Sequence, residues 1–201
     1  MKKNFFRMFA AILFCGAIAT VFTACSKDDD DNNNNNQPTP EAQKNIAKTA
    51  SAWFEVIMGQ DVLEVFDVEV TTISPSIGES TKKLTKSSFS FADRECSVKD
   101  PGSLVFAMSV KVTPKAGFTP DASKTYNLGL DSDFAYLVVN EKNEPLVGHQ
   151  GVGPVAFSAM NVPGDKLADR IERFAESWSL ALQKVEVYKT YYVLNGTRVD
   201  F

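Results

Sequence analysis

Leu104, Phe106, Met108, Val110 and Val112 are all apolar, and the residues between them are mostly smaller or polar. An alternation of that length has the period of two that an extended strand presents to a single surface. Such a strand needs hydrogen-bonded neighbours and a second layer over its apolar side. This one stretch commits the chain to a sheet.

Other segments repeat the signal. Val62, Glu64, Phe66, Val68 and Val70 alternate with Leu63, Val65, Asp67, Glu69 and Thr71, one side nearly all apolar and the other turning acidic. Ser74-Pro75 and Gly78 interrupt the run. Leu84 to Phe91 reads as a weaker strand, and Tyr126, Leu128 and Leu130 as a short one. Phe134 to Val139 is apolar throughout, which predicts a central strand covered on both faces. Residues 140–144 form a turn into Pro145-Leu146-Val147-Gly148, a stretch similar to a hairpin of carboxypeptidase-regulatory-like β-sandwiches and read here as a hairpin only. Near the carboxyl end, Val187 to Leu194 leads into Asn195-Gly196, the strongest two-residue hairpin signal, with Thr197, Val199 and Phe201 returning.

Two segments carry helical spacing instead. Thr39-Pro40-Glu41 reads as an N-cap, first helical position and acidic first turn. Ile46, Ala50, Trp53 and Ile57 then fall on one helical face, and Gly59 suits a C-terminal cap, so the spacing predicts a helix over 40–58. After Pro163-Gly164, a second helix starts at Asp165 with Leu167, Ile171, Phe174, Trp178 and Ala181 on one face, and its end is left open by Trp178, Leu180 and Leu182, which also alternate like a strand. The expected fold is α+β, an antiparallel sheet with two amphipathic helices packed on it and both tryptophans in the core. A β-sandwich with peripheral helices is the alternative.

The amino terminus is an address label. Lys2, Lys3 and Arg7 precede an apolar stretch from Met8 to Phe22. That stretch is about 15 residues, short of the roughly 20 that a spanning helix needs. Phe22-Thr23-Ala24-Cys25 follows, then Ser26, Lys27 and the four aspartates Asp28, Asp29, Asp30 and Asp31, five asparagines and Gln37-Pro38-Thr39-Pro40. The small residues before Cys25 resemble the lipobox of bacterial lipoproteins, with Phe22 where leucine is usual. The acidic run resembles the surface-export signal of Bacteroidota lipoproteins. The resemblance implies cleavage before Cys25, its acylation (palmitate among the chains), and an outer-membrane protein anchored by lipid and exposed on the cell surface. A periplasm-facing anchor is the alternative. On this reading residues 1–24 are signal peptide, 25–39 a disordered tether with a reach of roughly 20 Å, and 40–201 one globular domain.

Composition narrows the chemistry. With 21 basic and 25 acidic residues the net charge is −4, which offers no basic face for a nucleic acid. Three cysteines and one histidine nearly exclude a disulfide scaffold, a structural zinc site and most histidine-based active sites. No metal or cofactor is expected. His149, Gly151 and Gly153 form a glycine-rich loop whose backbone N–H groups could hold an anion, although such loops are more often plain surface. Tyr191, with Tyr188, Tyr192 and Trp178, is a candidate for sugar stacking, and strand alternation separates Tyr191 from Tyr192. Cys96 is read as an inert thiol despite Arg94 nearby. Asp131 and Asp133 flank Ser132 without the glycine or distal glutamate of a calcium loop. The expected function is a non-enzymatic, surface-tethered binding or accessory module for a polysaccharide, a peptide or an outer-membrane partner. The alternative is a small lipid-anchored hydrolase that uses carboxylates.

Overall fold

The computed structural model describes residues 45–149 and 160–201. Among them antiparallel sheet dominates. The first segment, β1 (Ala47–Met58), is a strand, not the expected helix over 40–58; residues 40–44 lie outside the described ones. The physical reason is a competing period. Ala50, Ala52, Phe54, Val56 and Met58 are all buried and make a strict period-two stripe. Trp53 and Ile57 come from the opposite side of the strand, and with Ala50 they mimic a helical face. Aromatic and β-branched residues from Trp53 to Ile57 fit a pleated surface better than a helix.

Gly59, expected as a helix cap, follows β1 and donates its N–H to the carbonyl of Gly129 at 2.8 Å. A Cβ there would lie 2.6 Å from the carbonyl oxygen of Asn127, so close backbone approach requires glycine. A single helical turn, α1 (Val62–Val65), then replaces the first part of the expected strand, and β2 (Phe66–Ser74) follows with every second residue buried. β3 (Gly78–Lys83) pairs back on β2, and β4 (Ser88–Ser97) starts later than the alternation suggested. β5 (Leu104–Pro114), β6 (Thr125–Leu128), β7 (Leu130–Asn140) and β8 (Pro145–His149) fall where strands were predicted. Between β7 and β8 the Asn140 Oδ1 accepts the N–H groups of Lys142 and Glu144, both at 2.9 Å, which fixes the turn.

β9 (Met160–Pro163) pairs with β6 in a small separate sheet. The second expected helix forms in pieces: α2 (Gly164–Leu167), a 3₁₀ turn over Ala168–Arg170, and α3 (Ile171–Trp178). It ends at Ser179, whose hydroxyl donates to the Ala175 carbonyl and accepts the Val112 N–H from β5. β10 (Leu180–Val187), β11 (Tyr191–Leu194) and β12 (Thr197–Asp200) complete the chain. Asn195 and Gly196 have φ of 47° and 87°, the left-handed pair that a tight hairpin needs.

The strands form a four-stranded sheet in the order β4-β1-β7-β8 and a six-stranded sheet in the order β12-β11-β10-β5-β2-β3. β1 and β7 of the first meet β5 and β10 of the second across a common core. Phe54 stacks on Phe134 at 5.2 Å on the first sheet. Trp178, fully buried at the end of α3, stacks on Phe174 at 4.9 Å and meets Phe66 edge-on at 5.5 Å. The helices are short and few, as a sheet-dominated architecture allows.

One polar group ties the sheets together. Asp93 on β4 is 6% exposed, and its carboxylate accepts the Ser76 N–H at 2.9 Å from the turn between β2 and β3. It also accepts the Cys96 thiol at 3.1 Å. Burial pushes the Asp93 carboxyl up, but these hydrogen bonds outweigh it and hold the group below the usual carboxylate range.

Candidate functional site

Strand alternation gives the four-stranded sheet an outer face made by the odd-numbered residues of β1 and β7. Trp53, Glu55 and Ile57 from β1 stand beside Ala135, Asp133 and Asp131 from β7 in direct register. Ile57 is 48% exposed, and Trp53 is half-buried with no other aromatic ring stacked on it among the described residues.

A groove of about 460 Å³ opens on this face. Trp53, Leu137 and Val139 provide its apolar floor, while Lys48, Arg94, Glu95 and Asn143 bring polar groups to it. That mix, an apolar base with a few placed polar side chains, is the usual make-up of a small-ligand site, and its volume lies within the usual range of about 300–1,000 Å³.

The polar side is built by a β-bulge. Ala50 pairs with Cys96 and Ala52 with Asp93, so Ser51 alone stands opposite Arg94 and Glu95. Glu95 has φ of 54°, the left-handed region that a non-glycine residue rarely occupies. Its N–H donates to the Ser51 hydroxyl at 2.8 Å, which anchors the irregularity. The consequence is directional. Asp93 and Cys96 both face the core, and the extra residue lets two consecutive charged side chains, Arg94 and Glu95, stand exposed at the groove. Arg94 makes no ion pair among the described residues. Lys48 approaches Glu141 only to 4.0 Å.

Further along the same face lie three carboxylates. Glu55 and Asp133 are cross-strand partners, and Asp131 is opposite Ile57. Burial, then repulsion from Asp133 and Asp131, raises the Glu55 carboxyl; burial, then Asp133, raises Asp131. Ser132, between them in sequence, points into the core at 3% exposed. Among the described residues no cluster of His, Cys, Asp and Glu could hold a metal ion.

The residues singled out from sequence fall elsewhere. His149 ends β8 in register with Tyr136, and its side chain lies outside the described residues, as do Gly151 and Gly153. Cys25, Lys27 and Asp28 to Asp31 lie outside them too. Tyr191 is half-buried, stacked on Tyr188 at 4.4 Å, with the Arg198 guanidinium 3.7 Å from its ring centre. Two groups that close cannot share one ring face, so both faces of Tyr191 are covered. Tyr192 stacks on Phe201 at 5.8 Å, and Trp178 is in the core. Burial and the neighbouring Asp93 push the Cys96 thiol up to about 12, which leaves it protonated and unreactive. The structure therefore moves the candidate from the tyrosines near the carboxyl end to Trp53, which sequence reasoning had put in the core. Arg94 and Lys48 carried no signal as ligand contacts.

No family model matches the chain, and no curated protein or solved structure matches it.

Proposed function

We propose that this chain is a surface-tethered, non-enzymatic lipoprotein whose domain binds a glycan in the Trp53 groove. The observation that carries this reading is the placement of Trp53. A tryptophan on the solvent side of a central strand, half-buried with no aromatic ring stacked on it among the described residues and with Leu137 and Val139 lining the same groove, offers an apolar surface to the C–H face of a sugar. The polar rim supplies donors and acceptors for hydroxyl groups. The lipobox-like Cys25 and the acidic run Asp28 to Asp31 support a lipid anchor in the outer membrane and exposure on the cell surface, where polysaccharides are met. A peptide or an outer-membrane protein is the competing partner class. The test is affinity electrophoresis of wild type and Trp53→Ala against a panel of polysaccharides. The wild type should be retarded by at least one, and the variant by none, with both unfolding at the same denaturant concentration. Retardation that survives Trp53→Ala would sink the reading.

One observation favours a second reading, a carboxylate-dependent hydrolase. Glu55 and Asp133 are directly opposed on antiparallel strands, which puts the two carboxylates side by side on one face. Retaining glycosidases hold their two carboxyl groups about 5–5.5 Å apart, and the raised Glu55 would be the acid. Release of reducing ends from a bound polysaccharide by wild type, lost in Glu55→Gln, would replace the binding module with an enzyme.

A further inference from the structure

We infer that the groove selects a sugar bearing a carboxylate, with the Arg94 guanidinium reading the charge and Trp53 carrying the ring; this rests on the glycan-binding reading above. Three features lead there. First, Arg94 is exposed beside the groove and has no acidic partner among the described residues, so its five donors are open to a ligand. Second, the fold uses an uncommon device to put it there. The bulge opposite Ser51, with Glu95 held in the left-handed region, turns both Arg94 and Glu95 outward where a regular strand would send one of them into the core. Strained positions of this kind persist where a side chain must be aimed. Third, the groove has more cationic than anionic groups. Among its lining residues Arg94 and Lys48 are cationic and Glu95 is anionic; Glu141 stands 4.0 Å from Lys48, which leaves Arg94 as the cation without an acidic partner among the described residues.

The chemistry of the ligand follows from that geometry. A planar guanidinium matches a carboxylate in a two-pronged hydrogen bond, which an ammonium cannot make. A hexuronic acid unites the two properties that the site separates: an apolar C–H face for Trp53 and a carboxylate at the ring edge for Arg94. Glu95 accepts hydrogen bonds from neighbouring hydroxyls. The carboxylates of Glu55, Asp133 and Asp131 along the same face repel an acidic chain, so they set the direction in which its charge must point.

The full-length protein in detergent is titrated with polygalacturonate, its fully methyl-esterified form, dextran sulfate and unmodified dextran. The wild type should bind polygalacturonate roughly tenfold to hundredfold more tightly than the ester, the range for hydrogen bonds to a charged group. Arg94→Ala should bring acid and ester to the same affinity, and Arg94→Lys should keep only part of the preference. Lys111→Ala, which removes an exposed cation from β5, is the control and should leave the preference intact. Equal binding of acid and ester by wild type overturns the carboxylate assignment and leaves the glycan reading standing. Dextran sulfate binding as tightly as polygalacturonate overturns it in favour of a general anion site. A preference that survives Arg94→Ala removes Arg94 as the reader. No binding of any of the four polymers, with no retardation on the wider panel, removes both proposals together.

Discussion

Replacing Trp178 with alanine tests the core. The indole is fully buried between Phe174 and Phe66, with α3 behind it and the six-stranded sheet in front. A tryptophan buries about 250 Å², which at about 25 cal/mol per Å² contributes about 6 kcal/mol as an upper bound. Alanine keeps about 1 kcal/mol of that through its own methyl group. The indole Nε1 has no hydrogen-bond partner among the described residues, and its removal relieves a penalty of about 1–3 kcal/mol. These leave about 2–4 kcal/mol, and the cavity between Phe66 and Phe174 adds to the loss, so Trp178→Ala should cost about 3–5 kcal/mol. Trp178→Phe keeps most of the packing and drops the unpaired N–H, so it should cost less than about 2 kcal/mol. Urea melts followed by far-ultraviolet circular dichroism give both values. Acrylamide quenching adds an independent readout. Trp178→Phe leaves only Trp53, which should be quenched readily, whereas Trp53→Phe leaves only Trp178, which should be shielded. A loss below about 1 kcal/mol for Trp178→Ala, or equal quenching of the two single-tryptophan proteins, would refute the placement of the indoles.

Asp93→Ala should cost about 1–3 kcal/mol near neutral pH, because it leaves the Ser76 N–H unpaired, and thermal melts will measure it. The Asp93 carboxyl titrates lower in the folded than in the unfolded chain. Its contribution is therefore present above the unfolded value of about 3.9 and lost as pH falls through the lower folded value; Asp93→Asn should flatten that acid limb in melts taken from pH 5 to pH 2. Cys96, held protonated up to about pH 12, should react with iodoacetamide at pH 8 on the order of a hundredfold more slowly in the native protein than in urea. Cys25→Ser should abolish palmitate labelling and release the protein from the membrane fraction. Replacing Asp28, Asp29, Asp30 and Asp31 with alanines should leave labelling intact but protect the protein from protease on whole cells.

Strands with one apolar side were legible because their period is unambiguous. β5 and the hairpin of β11 and β12 stand where Leu104 to Val112 and Asn195-Gly196 put them. β1 was not, because its outer face sets the apolar Trp53 and Ile57 among the polar Thr49, Ser51 and Glu55. Trp53 and Ile57 on its outer face complete a false helical stripe with Ala50 from its inner face. The residue that misled is the one that floors the groove, where an aromatic side chain on the solvent side breaks the apolar-in, polar-out pattern. The bulge had no sequence mark either. Glu95 adopts the left-handed region with neither glycine nor asparagine to announce it, held by a hydroxyl 44 residues away in sequence. Tertiary contact decided that position, and no local rule anticipates it.

The place of β1 in its sheet also bears on how the domain carries load. At the amino-terminal end of the described residues stands β1, which is hydrogen-bonded to β4 on one side and β7 on the other. A pull on that end acts along the strand axis. It loads both ladders in shear, so many hydrogen bonds must yield at once instead of opening singly from an edge. Trp53 sits on that same strand, and Arg94 on its immediate neighbour. If the groove holds a polymer as proposed, drag on it passes from Trp53 into a strand clamped on both sides. β12, an edge strand of the other sheet, paired on one side only, stays out of the path of the force.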